Sequence, residues 1–131
     1  LNGKSVYSTK ESSKKEDVSD FLYEIRKKNG KNRIVVILDN FRSHKSKMVM
    51  ETAKKLDITL VFPPPYSPDL NPIEFIWKSV KRYISSMFVV CKEELKEIVE
   101  TLFYIFSSSL SFAKSWMRKF LAPLAEIVLA Q

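Results

Sequence analysis

Apolar positions along the chain fall into short continuous runs and into amphipathic stretches, and the two kinds alternate. Val18, Phe21, Leu22 and Ile25 recur at i, i+3, i+4 and i+7, which predicts a helix with one buried face. Asn29-Gly30 ends it, because glycine tolerates the backbone that follows a helix. Arg33 to Leu38 reads R-I-V-V-I-L, five consecutive apolar residues, mostly β-branched. Such a run predicts a strand covered on both faces, as at the centre of a parallel sheet. Lys45 to Leu56 reads as a helix with Val49, Ala53 and Leu56 inward, and Ile58 to Phe62 as a second short strand. Upstream, Lys4 to Thr9 alternates weakly and reads as a short strand.

Pro63 to Pro72 is proline-rich, which excludes helix and central strand. Pro72 to Ser85 then forms a strongly amphipathic pattern, with Ile73, Ile76, Trp77, Val80 and Ile84 on one face. Two more helices are predicted. One runs from Lys92 to Phe106 with Leu95, Ile98, Val99 and Leu102 inward. The other starts near Ser111, carries Phe112, Trp116 and Phe120, and meets Pro123. Trp77 and Trp116 lie among apolar helix positions and read as core. The order of elements implies an α/β domain over residues 1–131, a sheet flanked by helices with two extra helices at the C-terminal end.

Composition adds a bias towards an anionic partner. Lys and Arg number 22 against 15 Asp and Glu, a formal charge of +7, while 45% hydrophobic content in 131 residues supports a real core. Cys91 is the single cysteine, so no intrachain disulfide forms and a reducing, cytoplasmic setting is expected, nucleoid-associated in a prokaryote. No apolar run reaches the roughly 20 residues that cross a bilayer, so no membrane partner is expected. The first residue is Leu1, consistent with a start inside a longer protein.

Two acids stand out by position. Asp39 follows the apolar strand, and ligands of open α/β sheets gather at the carboxyl ends of strands. Glu74 opens the helix after the proline loop, with 34 residues between it and Asp39. Each also has a structural reading. Asp39-Asn40 suits a turn. Asn71-Pro72-Ile73-Glu74 has the form of an N-cap, a proline at the first helical position and a capping acid.

Longer motifs weigh on that choice. The stretch I-V-V-I-L-D-N-F-R-S-H-K-S-K, followed by P-P-Y-S-P-D-L-N-P-I-E-F-I-W-K-S-V-K-R, closely resembles the DDE transposases of the IS630/Tc1/mariner superfamily. The run from Pro64 to Glu74 is a specific signature of the IS630-like branch, and 34 residues between second and third acids is that superfamily's spacing. The resemblance covers nearly the whole chain, more loosely outside these stretches. It implies an RNase H-like mixed sheet. It also implies DNA strand cleavage and strand transfer at transposon ends, with two Mg²⁺ (or Mn²⁺) ions about 4 Å apart between carboxylates. Asp39 matches the second acid and Glu74 the third, as catalytic residues and metal ligands.

The family's first Asp lies on an earlier strand. The acids before Asp39 are Glu11, Glu16, Asp17, Asp20 and Glu24, and none ends an apolar strand. The first Asp and two strands are therefore expected to be absent, leaving a fragment inactive alone, with a strand edge open to self-association or to completion by another chain. Phe41 and Ser43 stand where the family often has a small and an apolar residue.

Supporting positions follow. His44 completes D-N-x-x-x-H, where it could orient DNA or water near Asp39, or simply hydrogen-bond at a helix start. Asn40 could bond a phosphate or shape the turn. Arg42, Lys45, Lys47, Lys78, Lys81 and Arg82 flank the acids, either as phosphate contacts or as a solvated basic surface. Beside the enzyme reading stands a second, a non-catalytic DNA-binding or assembly remnant of a transposable element.

Overall fold

The structure is a computed structural model that describes residues 4–10, 12–67 and 70–108. The helix expected from Ser111 lies outside them. The chain divides into two compact units, Leu1–Asn71 and Pro72–Gln131.

The first unit is built as α1 (Lys15–Asn29), β1 (Ile34–Ile37), α2 (Lys47–Lys55) and β2 (Ile58–Val61). β1 and β2 pair in parallel, Ile34 opposite Ile58 and Ile37 opposite Val61, and Leu38 N–H extends the ladder to Val61 O at 3.0 Å. Parallel neighbours need a crossover, and α2 supplies it. Leu22, Val49, Ala53 and Ile58 form the buried core, joined by Val18, Ile25, Ile34, Val36, Leu56 and Leu60. The helical spacing of α1 and the period-two alternation of both strands thus converge on one face.

That convergence corrects the expectation of a strand covered on both sides. Val35 is 53% exposed and Val61 42%, on the face away from the core residues. β-branching favours strand geometry whether or not the second face is packed, so the apolar run could not discriminate. Lys4 to Thr9 is likewise not a strand. The Asn29 side chain takes both backbone groups of Lys4, accepting its N–H at 2.7 Å and donating to its carbonyl at 3.1 Å. α2 starts two residues later than the periodicity suggested. Ser43–Ser46 forms a turn, and Ser46 caps the helix by accepting the Val49 N–H.

The turns of this unit meet on Arg26. Its guanidinium donates to the carbonyls of Leu56, Gly30 and Asn32 at 2.8 Å each, and to that of Asp57 at 2.6 Å. Gly30 follows α1 with φ +57°, and its N–H returns to Arg26 O at 2.9 Å. Asp57 also has a positive φ of 53°, a conformation that Asp adopts more readily than most residues. At the start of α1, Asp17 accepts from Ser12 Oγ and from the Lys14 N–H, and these bonds hold its carboxyl below the usual range, the serine hydroxyl first.

The second unit contains α3 (Pro72–Ile84) and α4 (Lys92–Ser108) packed together. Val80, Leu102 and Phe103 are buried, Trp77 packs on Phe103 with ring centroids 5.8 Å apart, and Tyr83 meets Phe106 at 5.6 Å. Trp77 is thus part of the packed helix pair, as its spacing indicated. Leu95, expected inward, is exposed. The aromatic contacts joining the helices lie two turns further along α4, so its first turn stands clear. That turn is capped by Cys91, whose Sγ accepts the Glu94 N–H, while the Glu94 carboxylate accepts the Val90 N–H at 2.8 Å. Among the described residues, no helix is long and apolar enough to cross a membrane.

Because Arg26 serves four carbonyls, its removal is expected to cost more than a surface arginine. Arg26→Ala should lower unfolding stability by about 3 kcal/mol in urea titration. Arg26→Lys should recover only part, since an ammonium cannot span the same fork of acceptors. Full stability in Arg26→Ala would remove this residue from the account of the fold.

Candidate active site and nucleic-acid interface

Asp39 lies two residues beyond β1, at its carboxyl end, and its side chain is 64% exposed. The local sequence dictates its setting. Its Oδ1 accepts the Phe41 N–H at 3.1 Å, the Asx-type bond expected of Asp in a turn. The same oxygen is 2.6 Å from Nδ1 of His44, whose ring is mostly buried against Phe41 in an edge-on contact of 5.8 Å. His44 N–H also donates to Phe41 O at 3.0 Å. Asp39 therefore keeps a fixed orientation while remaining open to solvent.

Asn40 ties this turn to the neighbouring strand. Its amide donates to Pro63 O at 2.7 Å, so the ends of β1 and β2 are joined at the start of the proline loop. That bond gives Asn40 a structural contact across the ends of the two strands. His44 likewise acts as a brace for Asp39.

The basic residues separate into groups. Arg42 and Lys45 are exposed and line an open groove beside the turn, with Lys45 held 5.5 Å over the Phe62 ring. Lys47 sits 3.8 Å from Glu51 one helical turn on, a solvated pair worth little. In the second unit Glu74 is exposed in the first turn of α3. Lys78, Lys81 and Arg82 are exposed on the same helix, four, seven and eight residues on, so all four share a face away from buried Val80. Asp39 and Glu74 belong to different units.

Sequence reasoning passed over Lys14 and Lys15, which line the groove with Arg42 and Lys45. The signal was slight: two adjacent lysines open α1, followed by Glu16 and Asp17, the acids that a helix start favours.

The Asp39 carboxylate is a hard oxygen donor, the kind that suits a hard divalent cation, and its Oδ1 is already engaged by His44 and the Phe41 N–H. Among the described residues, no three His, Cys, Asp or Glu side chains gather into a metal cluster.

Residues 2–96, which include both acids, match the family described as DDE superfamily endonucleases. A stretch of 46 residues, 35% of the chain, is 41% identical to the transposable element Tcb2 transposase of Caenorhabditis briggsae. That stretch covers 17% of the relative's length. The family match spans well over half of the chain, and the conclusion is plain: the chain belongs to the DDE superfamily endonucleases.

Proposed function

We propose that the chain is part of the catalytic domain of a DNA transposase, of the IS630-like branch, that cleaves and rejoins DNA strands at transposon ends. The observation that carries this reading is the place of Asp39, an open carboxylate at the carboxyl end of β1. The run from Pro64 to Glu74 supports the IS630-like assignment. The parallel β1–α2–β2 unit is what an RNase H-like sheet would contribute here.

In this reading Asp39 and Glu74 hold divalent magnesium (or manganese), together with a third carboxylate from outside the described strands. When bound, such ions activate the attacking hydroxyl and stabilise the leaving oxygen. The chain's own residues prepare the ground for that chemistry. His44 and the Phe41 N–H fix the Asp39 carboxylate through Oδ1. Asn40 holds the loop leading towards Glu74 against the end of β1. Arg42, Lys45, Lys47, Lys78, Lys81 and Arg82 offer cations to phosphates, which position a duplex without reading it. The remnant reading keeps the DNA contacts and dispenses with catalysis.

Metal sharing between the two acids is testable without turnover. Mn²⁺ added to isotope-labelled protein should broaden amide resonances around residues 39–44 and 73–78 together, and Asp39→Asn should abolish both effects. Broadening at only one of the two segments would refute the shared site. The pure 131-residue chain should not nick supercoiled DNA with Mg²⁺ or Mn²⁺, since two of three acids do not complete the site. Metal-dependent nicking that disappears in Asp39→Asn would overturn that expectation. Among the described residues the sheet has two strands, with Val35 and Val61 exposed, which supports self-association or completion by another chain. Light scattering at high protein concentration should therefore show species heavier than 15.3 kDa, and a monodisperse monomer would count against it.

A further inference from the structure

The groove beside Asp39 carries more than the two basic residues the sequence indicated. Lys14 and Lys15, at the start of α1, line it opposite the turn that bears Arg42 and Lys45. All four are exposed, and the one acid in the lining, Glu16, is paired with Lys15 at 3.8 Å. Phe41 also lines the groove and is 57% exposed, although the chain fixes it through its N–H to Asp39 and its ring contact with His44. The groove measures about 920 Å³, large enough for a short stretch of a polymer.

Lys14 and Lys15 stand at the amino end of α1, whose first turn also holds Glu16 and Asp17. Two further cations face the same space. A large aromatic ring is held in solvent by contacts that orient it. Together they match what a single nucleic-acid strand requires, cations that follow phosphates and a fixed ring on which a base stacks. A duplex would use the cations and leave the ring idle.

We infer that this groove binds one DNA strand next to Asp39, with Lys14, Lys15, Arg42 and Lys45 on the backbone and Phe41 under an unpaired base. The inference rests on the proposed DNA function for its substrate class, but it concerns binding and needs no metal.

The test uses the full 131-residue chain in EDTA, with a fluorescent single-stranded oligonucleotide and a matching duplex, over a salt series. Four phosphate contacts predict a log–log salt slope with a contribution of about −2.8 on the single strand. Lys14→Ala/Lys15→Ala should reduce that slope by about 1.4. The control Lys54→Ala/Lys55→Ala removes equal charge from the far end of α2 and should leave the slope nearly unchanged. Phe41→Leu should weaken single-strand binding at least fivefold and duplex binding less than twofold. Circular dichroism on each variant confirms folding. Equal losses in both lysine pairs, or equal effects of Phe41→Leu on strand and duplex, would overturn the inference. If the metal test on Asp39 fails while these changes appear, the groove stands and the catalytic reading falls.

Discussion

One guanidinium sets the geometry of the first unit. Arg26 reaches the turn leading into β1 through Gly30 and Asn32, and the turn leading into β2 through Leu56 and Asp57. Both strands therefore begin from a common anchor, which fixes Ile34 opposite Ile58 at their amino ends. Register propagates along a parallel pair, so the carboxyl ends also come level. There the Asn40 amide closes the pair on Pro63. A cation bound to carbonyls in a partly exposed position keeps some hydration, and its bonds are charge-assisted. Asp39 owes its position to this frame as much as to its own turn.

How much of this was legible follows from what each signal encodes. Helical periodicity reports which side chains share a face, and α1, α2 and α3 emerged with their inward residues Leu22, Val49, Ala53 and Val80. A continuous apolar run reports strand, but it is silent on whether a second layer exists, hence the error at Val35. Leu95 kept the period of α4 yet lies before the aromatic contacts that join the helices. Arg26 was invisible because its partners are main-chain carbonyls up to 31 residues away, and a carbonyl has no residue type. Asp39 stood out because it follows the apolar run, and it does lie two residues beyond the end of β1. Lys14 and Lys15 were hidden by distance along the chain, since only folding sets α1 beside the turn after β1.

The site is therefore layered in its rigidity. Hydrogen bonds on Asp39 Oδ1, a half-buried Asn40 and a mostly buried imidazole form a stiff floor. Long cationic side chains around it remain exposed and adaptable. Under the proposed function, that division suits a polymeric anion, whose backbone tolerates several positions while a reacting phosphate tolerates one.

The sulfur cap of α4 has a practical consequence. Cys91 is the chain's single thiol, it is exposed, and it serves as the acceptor for Glu94 N–H. Its alkylation rate is thus a built-in gauge of fraying in that first helical turn, readable by mass spectrometry on the unaltered protein. A thiol-directed dye would report the same turn, at the cost of loosening the contact it reads.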